Sequence, residues 1–155
     1  MSFRITGLEP APFAPLFALD DQTLETQAGR RVLIERERSA PCRVTLEDAH
    51  PGERVLLVNY EHQPANTPFR ASHAIYVREG ALERFDRVDE IPPAFRGRPL
   101  SVRAFDSDHM MIDAKLTPGD EVEGVLEGLF ANPAIAYLQI HYALRGCYAA
   151  RAERA

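Results

Sequence analysis

Lysine is nearly missing from this chain: Lys115 stands alone against 17 arginines. Cysteine is scarce as well. Cys42 and Cys147 are too few for a disulfide scaffold and fit a reducing, cytoplasmic setting. No run approaches the ~18 apolar residues a membrane helix needs, so no membrane partner is expected. The opening residues, Met1-Ser2-Phe3-Arg4-Ile5-Thr6-Gly7, lack the basic start and apolar stretch of a secretory leader. A formal net charge of −5 argues against nucleic acid, whose binders draw affinity from clustered cations. Also absent are C-x-x-C, G-x-S-x-G, H-E-x-x-H, a P-loop, internal repeats and Gly/Ser linkers. No motif therefore names a cofactor.

What is there is ordinary in bulk. The chain has 155 residues, 45% hydrophobic and 26% charged, which suits one domain with its own core over residues 1–155. The arginine excess has two readings. A planar guanidinium suits recognition of carboxylate or phosphate, but 21 Ala and 12 Pro accompany it, and compositional bias accounts for most of it.

Periodicity gives the fold class. Phe3-Arg4-Ile5-Thr6 alternates as a strand, and residues 16–28 read as short helical turns capped at Asp20 or Asp21. Strands are expected at 31–35, 54–60, 72–79 and 135–142. Residues 54–60 are apolar on both parities, the mark of a strand covered on both faces. Residues 80–99, charged and proline-rich, read as a surface excursion. A hairpin over 100–116 matches its apolar faces when 104 pairs with 112 and 102 with 114, setting Arg103 opposite Asp113. Thr117 and Pro118 open a helix to about 131, whose buried stripe is Val122, Val125, Leu126, Leu129 and Phe130. The tail from Arg145 suits strand or helix. The expected architecture is α+β, a mainly antiparallel sheet of six to eight strands with two helical regions.

Chemistry concentrates around one long connection. Glu61 to Ala71 carries two prolines between two strands, and long ordered loops in compact domains are disproportionately functional. Matching Val58 and Tyr60 with Val77 and Ile75 places His62 opposite His73 at the strand ends, beneath a loop holding Arg70 and next to Ser72. Two imidazoles so placed can pass a proton or bind a metal, although two histidines without a fixed short spacing are a weak metal signal. They can equally satisfy loop carbonyls. His141, on the parity of Gln139 and opposite the Leu138/Ile140 face, joins them only if its strand lies beside that hairpin. Cys42 is next to Arg43 and Cys147 follows Arg145 by two residues, and a nearby guanidinium promotes the thiolate. Neighbours in a strand point to opposite faces, however, and free cysteine is usually a small buried hydrophobe. His50 and His109 sit in turns.

Several segments together resemble a bacterial family, domain of unknown function 1203. They are Phe3-Arg4-Ile5-Thr6-Gly7-Leu8, Pro41-Cys42-Arg43-Val44-Thr45-Leu46-Glu47-Asp48-Ala49, Pro51-Gly52-Glu53-Arg54-Val55-Leu56, Tyr60-Glu61-His62, Arg70-Ala71-Ser72-His73-Ala74-Ile75 and Gly146-Cys147-Tyr148-Ala149-Ala150-Arg151. The resemblance implies no assigned activity, cofactor or partner. It also implies that relatives often carry His at the position of Gln139 and Asn at that of Tyr142, which counts against a metal cluster on that strand here. Two functions are expected from these residues. One is binding of a small anionic ligand at a His/Arg site at the sheet end, with acid/base chemistry from His62 and His73 and contacts from Arg70, Ser72, Arg43, Cys42, His141 and Cys147. The other is a non-enzymatic structural or protein-interaction domain whose polar residues only tie down loops.

Overall fold

A computed structural model describes all 155 residues. Nine strands and three helices follow one another: β1 (Phe3–Thr6), α1 (Ala14–Phe17), α2 (Asp21–Thr26), β2 (Gly29–Leu33), β3 (Arg54–Gln63), β4 (Ala71–Arg78), β5 (Asp86–Val88), β6 (Pro99–Phe105), β7 (Met111–Pro118), α3 (Val122–Phe130), β8 (Tyr137–Tyr142) and β9 (Tyr148–Arg154). The expected α+β class holds, with every strand pairing antiparallel. The strands form two sheets, one of six in the order β5-β1-β9-β8-β6-β7 and one of three in the order β2-β3-β4.

Each sheet has its own core. Val122, Leu126, Leu129 and Phe130 of α3 cover the Val102, Ala104, Leu138 and Ile140 face of the six-stranded sheet. The stripe is the one the 3.6-residue period requires, except that Val125 is only partly buried at its margin. The helix begins later than its Thr117-Pro118 signal. Gly119–Glu121 form a 3-10 turn first, because Gly119 passes so close to the chain that a Cβ would lie 1.8 Å from the Phe95 carbonyl oxygen. In the three-stranded sheet, Leu56, Val58, Ile75 and Val77 pack with Leu24 and Phe13 from the helical segments. Asp20 caps α2 as its sequence suggests, accepting the Thr23 N–H at 2.7 Å.

Three expectations need correction. The excursion at 80–99 is not only surface: β5 pairs with β1, and Ala94 and Phe95 are fully buried. Its charges mask two anchors in a segment too short to show a period. The second correction concerns β6 and β7. A shift between Ala104 and Phe105 pairs Ala104 with Asp113 and Arg103 with Ala114. Val102 and Ala104 are buried as expected, but Ile112 is 43% exposed, and Asp113 meets Lys115 rather than Arg103. Matching apolar faces across a turn presumes an unbroken ladder, and one bulge moves every partner by a residue. The third is the β3–β4 register, Val58 with Ile75 and Tyr60 with His73, two residues from the expected one. Parity survives a shift of two, so His73 remains on the predicted face.

Candidate functional site

A second bulge builds the site. Glu61 pairs with Ser72 and Gln63 with Ala71, which leaves His62 as the extra residue. Instead of sitting across from His73 it leans against it, with Nε2 2.8 Å from His73 Nδ1 and ring centroids 4.9 Å apart. The end of β3–β4 abuts the face of the six-stranded sheet opposite its helix. There β8 alternates cleanly: Leu138, Ile140 and Tyr142 point to the α3 core, whereas Gln139 and His141 point to the histidine pair. The His141 ring meets His62 edge-on at 4.9 Å and His73 at 5.6 Å. One ring nitrogen from each of the three histidines falls within 4.8 Å of the others.

The hydrogen bonds settle which nitrogens carry protons. Gln139 Nε2 donates to the His62 carbonyl at 3.0 Å, so its Oε1 is the acceptor and takes the His62 Nδ1–H at 2.8 Å. His62 Nε2 is then a lone pair, receiving the His73 Nδ1–H. His141 Nδ1 donates to the Gly146 carbonyl at 2.9 Å, so its Nε2 is also a lone pair, facing Gln139 Oε1 at 3.4 Å. Two acceptors face each other there with no proton between them. Fixing the outer nitrogen of a histidine with an amide or a carbonyl is the usual way to aim the inner one.

Burial keeps the rings neutral. His141 is fully buried, and desolvation above all drives its pKa down to about 3, against the raising effect of its bond to Gly146. Burial also lowers His62, opposed by its bond to Gln139, and lowers His73; Arg103 pushes both in the same direction. Arg103 is a residue the sequence reading missed. On β6 it pairs with Gln139 of β8, its Nε lies 3.4 Å from Ser101 Oγ, and it faces the cluster rather than the solvent edge. The signal was available: the polar parity of β6, Ser101 and Arg103, lies opposite the polar parity of β8, His141 and Gln139. Tyr148 was also passed over. It stacks on His62 with centroids 5.1 Å apart and an interplanar angle of 11°.

A cavity of ≈ 390 Å³ reaches this site, lined among others by Tyr60, His62, Gln139, Tyr148, Arg84 and Arg151. Arg151 is on the β9 position paired with Gln139, its guanidinium 3.9 Å from the Tyr137 ring centre. The site thus combines unprotonated imidazoles with flanking cations.

Other residues expected at the site lie elsewhere. Ser72 is exposed, and Arg70 donates to the Glu61 carboxylate at 3.1 Å out in solvent. The Cys42 sulfur is buried and accepts the Arg78 N–H at 3.3 Å. Arg43 is buried behind Tyr148, donating to its carbonyl at 2.7 Å, and with Cys147 it borders a different cleft. His50 pairs with Glu37 on the surface, and His109 contacts the Tyr137 hydroxyl at 2.8 Å.

Residues 39–154 match a family model described as "Protein of unknown function (DUF1203)". The chain belongs to that family. The match spans both sheets from Ser39 onward and includes all three clustered histidines, Gln139 and Tyr148. Neither curated proteins nor solved structures yield a match. No helix is long and apolar enough to cross a membrane.

Proposed function

We propose that this DUF1203 member binds a small anionic ligand at a divalent metal held by His62, His73 and His141. The observation that carries the reading is the convergence of three imidazole nitrogens within 4.8 Å, two of them aimed inward as lone pairs by Gln139 and Gly146. Imidazole nitrogens bind zinc-like ions at ~2.0–2.1 Å, so closing the cluster around one ion asks for side-chain movements of roughly 1 Å. Three nitrogens leave a fourth position for water or ligand, the arrangement typical of reactive rather than structural sites. Gln139 keeps an acceptor oxygen among the ring nitrogens and acts here as an orienting group. Arg103 and Arg151 supply the charge that favours an anion beside the ion.

Chelator-treated protein titrated with Co²⁺ tests this. The expected result is one equivalent bound with the visible absorption of a tetrahedral ion. His141→Ala should weaken binding by about 100-fold or more, as loss of one of three ligands would. Benzoate added to the Co²⁺ form should shift the spectrum, and less so in Arg103→Gln. Absence of stoichiometric Co²⁺ and Zn²⁺ binding in the parent protein would overturn the reading and favour the interaction-domain alternative.

A further inference from the structure

A second cleft of ≈ 530 Å³, lined by none of the three clustered histidines, opens between residues 36–43 and the 144–147 turn. In a chain of net charge −5 its walls hold five arginines, Arg36, Arg38, Arg43, Arg98 and Arg145, against one acid, Glu37. That acid is engaged with His50 at 3.1 Å, and Arg98 is paired with Asp48 at 2.7 Å.

Arg43 is the unusual member. It is 2% exposed and has no carboxylate partner, and its only hydrogen bonds go to the carbonyls of Tyr148 and Pro41. A guanidinium has five N–H donors, so most of its capacity is unused. A buried cation without a counter-ion is costly, and the Tyr142 ring, 4.8 Å from its carbon, offsets only part of that. Tyr142 adds a second unmet group. Its side chain lines the same cleft, and its hydroxyl is buried without a hydrogen-bond partner. A tyrosine hydroxyl can donate as well as accept, so it too can serve an anion. A buried charged donor and a buried neutral donor at one cavity lack the same thing, a negatively charged acceptor.

We propose that this cleft is an oxyanion site, separate from the histidine cluster. It takes a small organic acid or phosphate ester whose head group is held by Arg43 and Tyr142. The body of the ligand lies against Tyr76, Pro99 and Leu144, which supply apolar wall. The inference does not depend on metal binding by the histidines, since no residue lines both cavities.

Cys147 provides the readout. It lies on the wall of the cleft and is partly exposed, whereas Cys42 is fully buried and silent. Alkylation of Cys147 by iodoacetamide, followed by mass spectrometry, is expected to slow at least fivefold with inorganic phosphate or benzoate. The effect should saturate and should exceed that of sodium chloride at equal ionic strength. Stronger protection by phosphate assigns a phosphate ester, and stronger protection by benzoate a carboxylate. Arg43→Met should abolish protection. Tyr142→Phe, which removes a hydroxyl bonded to nothing in the protein, should melt no lower than the parent yet need at least fivefold more oxyanion. Protection no greater than chloride gives, or protection unchanged in Tyr142→Phe, overturns the proposal.

Discussion

Leu126→Asp lowers the unfolding free energy by about 4 kcal/mol or more, enough to leave much of the protein unfolded at 37 °C. Leu126 is fully buried in the middle of the α3 stripe, between Val122 and Leu129–Phe130 and against the apolar face of β6 and β8. Shortening it to a small side chain would alone cost ~2–5 kcal/mol through lost burial and the cavity left behind. A carboxylate adds the cost of stranding a charge where no cation is in reach, or of staying protonated. Urea denaturation followed by circular dichroism measures the loss. Glu123→Gln, on the exposed side of the same helix, should stay within ~0.5 kcal/mol of the parent and serves as control. An unfolding midpoint for Leu126→Asp equal to the parent's would mean that α3 does not cover the sheet.

The metal-free protein should lose stability steadily as pH falls below about 6.5. An unfolded histidine titrates near ~6.5, whereas His141 in the folded chain is held down to about 3, chiefly by burial. Between those values the unfolded chain takes up a proton that the folded chain refuses, so acid favours unfolding. The stabilising difference is complete above the unfolded pKa and is spent as pH falls toward the folded one. Its slope is ~1.4 kcal/mol per pH unit for one such group. His62 and His73 shift in the same direction and steepen the fall. Urea midpoints measured in chelator from pH 7.5 to 4.5 should follow this course, and His141→Gln should remove about one proton's worth of the slope. An equal slope in both proteins would show that His141 is protonated without cost, and hence is not sealed in.

The parts of this molecule that could be read in advance were those governed by local periodicity. The α3 stripe, the Asp20 cap and the two-sided burial of β3 each follow from spacing within a dozen residues. Parity was equally legible, so His73 and His141 were each assigned to the correct face of its strand. Register was not: the bulge at Ala104/Phe105 leaves no mark in the apolar pattern, and on β3–β4 a shift of two residues still sets like parity against like parity, so the pattern cannot choose between the two pairings. The meeting of His62 and His73 was anticipated for the wrong reason: it arises from a bulge rather than from direct opposition. Whether His141 reaches them depends on how two sheets abut, a relation between residues 77 positions and more apart in the bonds of Gln139 to His62.

The pairing of β1 with β9 sets a timetable for the chain. Residues 3–6 find their partners at 151–154, and β9 lies inside the six-stranded sheet, with β8 on its other flank. During synthesis β1 can meet β5 once residues 86–88 have emerged, but its other edge stays open until residues 151–154 follow. His62 and His73 can form their hairpin long before that, but Tyr148 and the Gly146 carbonyl that aims His141 arrive with the last turn and strand. Sheets closed by such distant partners fold slowly and are open to aggregation meanwhile. A nascent chain of this protein can gain its histidine pair early, yet it has no complete cluster until the closing strand is in place.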